Sequence, residues 1–175
     1  MQGGNLEAAS AGKDQGATFT VRLPVRAVYT PPPAERESIK ADRQRRESLT
    51  GVHALVVDDQ EDVRTLLSMT LESYRAKVQV ASSGKEALEL LTRQTPANPF
   101  DVLVCDIAMP DEDGYAVLRN VRALPPDKGG DIPAIALTAY GRPEYHKRAL
   151  EAGFQTYVVK PVKPDKLVDI IQELL

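Results

Sequence analysis

The chain holds very little cysteine and no long apolar run. Cys105 is the only cysteine among 175 residues, which excludes an intrachain disulfide and a cysteine-based zinc site. No 18 consecutive residues are apolar, and the N-terminus lacks the basic and then apolar pattern of a signal peptide. We therefore expect a cytoplasmic chain without membrane contact, in which Cys105 is a small buried hydrophobic residue.

Basic residues are scarce in the longer, C-terminal part of the chain. Residues 52–175 carry 14 Lys and Arg against 19 Asp and Glu, whereas residues 1–51 carry 8 against 6. An acidic surface disfavours non-specific binding to nucleic acid, so we expect no nucleic-acid partner. Arg43, Arg45 and Arg46 lie among acidic residues without interleaved aromatics, which is typical of a solvated connector. His53 and His146, the only histidines, are assigned no chemistry.

Three segments differ in composition. In residues 1–25 a Gly-rich stretch precedes an alternating run, with Phe19 and Val21 on one side and Thr20 and Arg22 on the other, which predicts a β-hairpin. Residues 26–51 contain three consecutive prolines and then a polar, charge-mixed run, which indicates a linker. Residues 52–175 are long enough to form one domain with its own core.

Five short apolar strands alternate with five helical patterns in residues 52–175. The predicted strands are Ala54–Val57, Val78–Ala81, Val102–Cys105, Ala134–Leu137 and Thr156–Val159. The first helix is predicted to bury Val63, Leu66, Leu67, Thr70 and Tyr74. Pro143 and Pro164 mark helix starts, and Gly153 marks a helix end. The alternation predicts an α/β fold, a flavodoxin-like (βα)5 doubly wound parallel sheet with strand order 2-1-3-4-5.

Three carboxylates follow the predicted strands. Asp58 and Asp59 come after the first strand and Asp106 after the third, and these strands are neighbours in the predicted order. Three unpaired anions at one sheet edge repel each other, and a hard divalent cation with oxygen ligands relieves that repulsion. The sequence therefore predicts a Mg²⁺ site. Capping of the first helix is the alternative role for Asp58 and Asp59.

Two further polar residues reach the same predicted edge. Thr138 follows the fourth strand, and Lys160 follows the fifth strand and precedes Pro161. A carboxylate nucleophile, a metal site, a cation and a hydroxyl donor are the groups that phosphoryl transfer to an aspartate requires. Asp106 is therefore the predicted acceptor, whereas Asp113 is predicted to be only a turn residue.

Residues 52–175 resemble a receiver domain of a two-component response regulator. The matching motifs are LVVDDQED, DVLVCDIAMPDEDGYAVL, IPAIALTAY and YVVKP. The resemblance implies that Asp106 is the phosphoacceptor and that Lys160 contacts the phosphoryl group. It also implies a coupled switch pair and a cis Lys160–Pro161 bond, the pair being Thr138 and Tyr157. Its implied Mg²⁺ ligands are Asp59, Asp106 and the backbone carbonyl of Ala108, with Asp58 acting through water.

The N-terminal stretch GGNLEAASAGKDQGATFTVRLP resembles the closing hairpin of the ATP-binding domain of sensor histidine kinases. This resemblance implies a hybrid histidine kinase as the parent protein, with any membrane anchor upstream. The nucleotide-binding motifs would precede Met1, so this chain is expected to bind no ATP and to be no enzyme beyond self-dephosphorylation. Its expected partners are a phosphohistidine domain of its own or another kinase and a histidine phosphotransfer protein.

Three other functions share the alternating α/β pattern. A phosphatase or mutase of the haloacid dehalogenase type places its Asp nucleophile after the first strand, with a second Asp two residues later. Here the acceptor Asp106 follows the third strand, and the residue two positions later is Ala108. A flavin-binding flavodoxin relative needs a phosphate-binding loop where this chain has the acidic DDQED. A non-phosphorylated scaffold is disfavoured because the acceptor set is complete.

Overall fold

The computed structural model describes residues 5–10, 12, 16–22, 48–110, 112–139 and 143–175, with only the backbone of residues 5, 10, 22, 143 and 144. The chain divides into two compact units, Met1–Ile39 and Lys40–Leu175. Most of the predicted linker lies outside the described residues. The predicted boundaries at residues 25 and 51 therefore stay predictions.

The first unit contains an antiparallel hairpin, in agreement with the predicted one. Strand β1 covers Asn5–Ser10 and strand β2 covers Ala17–Arg22. Leu6 pairs with Val21 and Ala8 with Phe19, so these apolar side chains share one face. Leu6, Phe19 and Val21 are each more than 60% exposed, so within the described residues this face is open to solvent.

The second unit alternates strands and helices. Its strands are β3 (His53–Val57), β4 (Lys77–Ala81), β5 (Val102–Asp106), β6 (Ala134–Thr138) and β7 (Thr156–Val159). Its helices are α1 (Glu61–Ser73), α2 (Gly84–Arg93), α3 (Gly114–Arg122), α4 (Pro143–Ala152) and α5 (Pro164–Leu174), with a 3₁₀ turn at Pro126–Lys128. The five strands form one parallel sheet in the order β4-β3-β5-β6-β7. This is the doubly wound α/β architecture of flavodoxin-like proteins.

The sheet has a hydrophobic core on each face because successive side chains of a strand point in opposite directions. Leu55 and Val57 of β3 pack with α2, α3 and α4, whereas Ala54 and Val56 pack with α1 and α5. Every residue of β3, β5 and β6 is buried, as expected for the centre of a parallel sheet covered on both sides. These three strands are the rigid base from which the carboxyl-end loops project.

One detail of the predicted core is wrong, namely the orientation of Leu66. Leu66 was expected to face the core but is 61% exposed, and Leu71 is fully buried. Helix α1 packs through Leu67 and Leu71, four residues apart, and Leu66 lies one residue outside that stripe. Val80 is 40% exposed because β4 is an edge strand and its outer residues lack a neighbour.

Arg122, at the end of α3, joins three segments at the amino-terminal edge of the sheet. Its Nη1 donates to the carbonyls of Gly130 and Ile132, each at 2.8 Å, and its Nη2 donates to the carbonyl of Gly153 at 2.9 Å. Burial lowers the pKa of Arg122, and the charge of Asp131 acts in the opposite direction. The guanidinium therefore satisfies carbonyls that precede β6 and that follow α4.

Arg122→Met is expected to lower the free energy of unfolding by about 3 kcal/mol, because carbonyls that now accept from a charged donor lose it. Urea unfolding of both proteins measures this difference. Arg119→Met is the matched control, because Arg119 is an exposed arginine on the same helix and should change stability by less than about 0.5 kcal/mol. Equal losses in the two variants would contradict a specific role for Arg122.

Candidate functional site

Three carboxylates meet at the carboxyl-terminal edge of the sheet. Asp58 and Asp59 directly follow β3, and Asp106 is the last residue of the neighbouring strand β5, where Val57 pairs with Cys105. One carboxylate oxygen from each of the three lies within 4.8 Å of the others. Asp58 and Asp106 are buried, and Asp59 is half-buried. The structure thus brings together the acidic residues that the strand order predicts to converge.

Lys160, which follows β7, reaches into this acidic cluster. Its Nζ lies 2.8 Å from Oδ2 of Asp58 and 3.0 Å from Oδ2 of Asp106. Burial by itself lowers the pKa of Lys160, but the hydrogen bonds and charges of Asp58 and Asp106 outweigh it, so the pKa is raised. Lys160 therefore carries a positive charge at neutral pH and offsets one of the three negative charges.

The remaining oxygens of the cluster fit a divalent cation. Oδ1 of Asp59 and Oδ1 of Asp106 are buried and accept no hydrogen bond from any residue that the structure describes. Buried carboxylate oxygens without partners are costly, and Mg²⁺ prefers hard oxygen ligands of this kind. Two negative charges stay uncompensated after Lys160 is counted, which matches the charge of Mg²⁺. Ala108 is exposed two residues beyond Asp106, and a ligand role for its carbonyl stays a prediction.

Helix capping does not explain the paired aspartates. The N-cap of α1 is Gln60, and no side chain caps this helix. Oδ1 of Asp58 instead accepts from the backbone N–H of Gln60 at 2.9 Å, which fixes the carboxylate at the strand end. Asp113, predicted as a turn residue, is the N-cap of α3, and its Oδ1 accepts from the N–H of Ala116 at 2.8 Å.

Thr138 and Tyr157 lie on one face of neighbouring strands. Thr138 ends β6, is 2% exposed, and its carbonyl accepts from the N–H of Lys160 at 2.7 Å. Tyr157 of β7 pairs with Ala136, two residues before Thr138, so the two side chains are diagonal neighbours. The Lys160–Pro161 bond is cis, as the resemblance implied.

Two residues near the site gave no recognisable signal in the sequence. The ring of His146, on α4, lies 4.6 Å from the ring of Tyr157, measured between centroids. Arg64, in α1, donates to the backbone carbonyls of Asp58 and Asp59. Each is a single polar residue on an amphipathic helix, a pattern that usually indicates a solvated face. Only the tertiary structure brings these side chains to the site.

Cys105 is a buried residue beside Asp106 and not a reactive thiol. Burial, with smaller contributions from the charges of Asp106 and Asp58, raises the pKa of its thiol. Its Sγ donates to the backbone carbonyl of Asp106 at 3.2 Å. A thiol that stays protonated and buried is a poor nucleophile, which agrees with the expected packing role.

Together these features define a class of α/β protein with an acidic, lysine-bearing site at the strand ends that suits an acceptor aspartate. Residues 54–172 match the family model described as the response regulator receiver domain. The chain therefore belongs to the receiver domain family of two-component response regulators, in which an aspartate is phosphorylated and an acidic pocket generally binds Mg²⁺.

Named relatives agree with this membership. An uncharacterized 14.6 kDa protein of Leptolyngbya boryana is 46% identical over 73% of this chain and 92% of its own length. The probable transcriptional regulator ycf27 of Guillardia theta is 39% identical over 69% of this chain but only 44% of its own length. The chain thus spans less than half of that regulator. Because such relatives are named as transcriptional regulators, the expected absence of a nucleic-acid partner gains no support.

Solved structures agree with the fold. The chemotaxis protein CheY4 of Vibrio cholerae has a TM-score of 0.64 and 29% identity, over 71% of this chain and 98% of that protein. The signal receiver domain of a signal transduction histidine kinase from Syntrophus aciditrophicus has a TM-score of 0.62 and 30% identity, over 71% and 90%. Among the helices that the structure describes, none has the length and apolar character needed to cross a bilayer.

Proposed function

We propose that this chain accepts a phosphoryl group from a phosphohistidine onto Asp106, with Mg²⁺ at Asp58, Asp59 and Asp106, and switches conformation in response. The observation that carries the proposal is the set of contacts that the two oxygens of the Asp106 carboxylate make. Its Oδ2 is 3.0 Å from the ammonium of Lys160, while its Oδ1 has no hydrogen-bond partner among the described residues. A buried nucleophile beside a fixed cation is what an incoming phosphoryl group needs.

The chain's own residues account for most of the transfer. A carboxylate oxygen of Asp106 forms the new bond to phosphorus as the P–N bond breaks and the imidazole leaves with its electron pair. Lys160 attracts the transferring oxygens, and the hydroxyl of Thr138 donates to one of them. Asp58, Asp59, Asp106 and the carbonyl of Ala108 would hold Mg²⁺, which would supply neutralisation of charge on the phosphoryl group.

The switch is the movement of Thr138 toward the new phosphoryl group. This movement frees space beside β6, and Tyr157, its diagonal neighbour on β7, turns inward to fill it. Because His146 of α4 packs on the ring of Tyr157, the inward turn removes a contact of α4. The face formed by α4 and β7 is thus the surface that changes.

The parent protein is a hybrid histidine kinase in this proposal. The N-terminal hairpin with its GATF sequence supports this, as does the likeness to a receiver domain taken from a signal transduction histidine kinase. The phosphoryl donor is then the phosphohistidine of the same or another kinase, and the recipient is a histidine phosphotransfer protein. The chain itself is a substrate of the kinase and not an enzyme.

Incubation with Mg²⁺ and phosphoramidate, a small donor with a P–N bond, tests the proposal. Intact mass should rise by one phosphoryl group, and Asp106→Asn should abolish the gain. Asp113→Asn is the matched control, because Asn also caps helices and this residue lies in the same loop. The Asp113→Asn variant should gain one phosphoryl group, like the unchanged protein. Mg²⁺ binding without any mass gain would favour a scaffold, and release of free phosphate without an Asp106 adduct would favour a phosphatase or mutase.

A further inference from the structure

The side chain of Arg64 folds back over the start of its own helix. Arg64 is the fourth residue of α1, and its Nη1 donates to the carbonyl of Asp58 at 2.7 Å and to that of Asp59 at 2.9 Å. Helical side chains point toward the N-terminus, which permits this reach. A positive charge in the first turn is nevertheless unfavourable toward the helix dipole. Both carbonyls must therefore compensate the charge of Arg64.

The contacts of Arg64 complete the fixation of Asp58. The N–H of Asp58 donates to Ala81 at 3.2 Å, its Oδ1 accepts from Gln60, and its Oδ2 accepts from Lys160. With its carbonyl held by Arg64, each polar group of Asp58 has a partner. Asp59 differs, since its carbonyl is held while its Oδ1 is buried without a hydrogen bond from the described residues.

Arg64 brings positive charge to the acidic cluster without occupying a carboxylate oxygen. Lys160 occupies Oδ2 of both Asp58 and Asp106, whereas the bonds that Arg64 makes within the described part of the chain go to main-chain oxygens. A cation placed on the carbonyl side of the turn lowers the repulsion among the carboxylates and leaves their free oxygens to a metal.

A carboxylate of α2 lies within electrostatic reach of Arg64. The carboxylate of Glu86 accepts from the N–H of Ser82 at 2.7 Å and from its Oγ at 2.8 Å. These bonds, and to a smaller extent the charge of Arg64, lower the pKa of Glu86, so Glu86 is an anion at neutral pH. Arg64 therefore interacts with the Asp58–Asp59 turn and, through charge, with the loop that follows β4.

We infer that Arg64 is a positioning residue for the metal site: it fixes the Asp58–Asp59 turn so that both carboxylates face Asp106. This inference rests on the proposed function, because it assigns Arg64 to the Mg²⁺ site used there. Residues that orient metal ligands through a second layer of hydrogen bonds typically change metal affinity by about 10- to 100-fold when replaced.

Isothermal titration of Mg²⁺ into the full chain tests the inference. Arg64→Met should weaken Mg²⁺ binding about tenfold. Arg64→Lys, which keeps the charge and one donor atom, should fall between Arg64→Met and the unchanged protein. Arg93→Met is the matched control, because it removes the same charge from an arginine whose side chain is 76% exposed on α2. It should bind Mg²⁺ like the unchanged protein.

The phosphorylation rate provides a second readout that a merely structural role would not move. At saturating Mg²⁺ the rate of Arg64→Met should recover, whereas at low Mg²⁺ it should fall with occupancy. Circular dichroism verifies that each variant is folded. If Arg64→Met does not fold, Arg64→Lys and Arg64→Gln give the comparison, since Gln keeps a donor and removes the charge.

The outcomes separate this inference from the proposed function. Mg²⁺ affinity of Arg64→Met equal to that of the unchanged protein overturns the positioning role, even where Asp106 is phosphorylated. A decrease in Mg²⁺ affinity from the unchanged protein to Arg64→Lys and then to Arg64→Met supports the positioning role. Any other order overturns it. A chain that binds Mg²⁺ through Arg64 as expected but never accepts a phosphoryl group overturns the proposed function alone.

Discussion

Replacing Lys160 by Met is expected to slow phosphorylation of Asp106 about a hundredfold, because a fixed charge that stabilises the transferring group is lost. The fold should also lose about 2 kcal/mol. Buried carboxylates that lose their cationic partner destabilise a fold strongly. The side chain of Lys160 is 22% exposed, so solvent screening reduces the loss. Phosphorylation kinetics by intact mass and urea unfolding measure the two effects.

Lys163→Met is the control for this substitution. Lys163 is an exposed lysine three residues farther on, and its side chain makes no cap bond to α5. Both the phosphorylation rate and the stability should stay close to those of the unchanged protein. If Lys160→Met were phosphorylated at the original rate, Lys160 would have no part in the transfer.

The stability loss expected for Lys160→Met also depends on pH in a defined direction. The pKa of Lys160 is raised in the folded chain, so its contribution to stability is fully present below the ordinary lysine pKa. That contribution is lost as the pH rises through the raised value. The stability difference between Lys160→Met and the unchanged protein should therefore be constant near neutral pH and shrink only in strongly alkaline solution.

Gly114→Ala is expected to destabilise the fold by about 3 kcal/mol and to displace Asp106. A Cβ at Gly114 would collide with the backbone carbonyl of Asp106 and would lie 2.8 Å from Cα of Ile107. Asp106 ends β5 and Ile107 directly follows it, so these backbone atoms cannot yield without moving the acceptor. The N–H of Gly114 also donates to the carbonyl of Ile107 at 3.0 Å, which keeps the two segments close. Urea unfolding and phosphorylation by phosphoramidate measure both consequences.

Gly84→Ala is the matched control for the collision. Gly84 is likewise the first residue of a helix, but its added Cβ would meet the side chains of Glu112 and Val117. The Glu112 carboxylate can move away and the buried Val117 side chain can shift without displacing backbone, so the cost should be smaller than at Gly114 and Asp106 should stay in place. Gly130→Ala would instead meet the backbone carbonyl of Leu124 before the start of β6, at the amino-terminal edge of the sheet and opposite the site. It should reduce stability while the folded fraction is phosphorylated at the original rate.

The sequence predicted most of the fold because the pattern of buried strands is strong. Four of the five predicted strands differ from the observed strands by one residue at one end. The fifth, Thr156–Val159, has the observed bounds. Short apolar runs flanked by Gly, Pro and Asp leave little freedom in where a strand ends. The local sequence alone does not show that Val80 is exposed, because Val80 is apolar whether its strand is central or at the edge.

The central residues of the site could also be predicted from the sequence, because their positions follow from where the strands end. Asp58, Asp59, Asp106, Thr138 and Lys160 each lie within two residues of a strand end, and parallel strands bring those ends together. The supporting residues were not readable. Arg64, Arg122 and His146 act through contacts across 5 to 31 residues of sequence, and nothing in local composition distinguishes them from solvated charges.

The hydrogen bonds of Arg122 also limit how helix α4 can move. They hold Gly153, directly after the last residue of α4, so that end of the helix is tied to α3. A tilt of α4 must then pivot about its C-terminal end, and the amplitude grows with distance from the pivot. Ten residues of helix span about 15 Å, so a tilt of about 10° would move the Pro143 end by about 3 Å and the Ala152 end hardly at all. A partner protein that distinguishes the two states should therefore read the N-terminal half of α4.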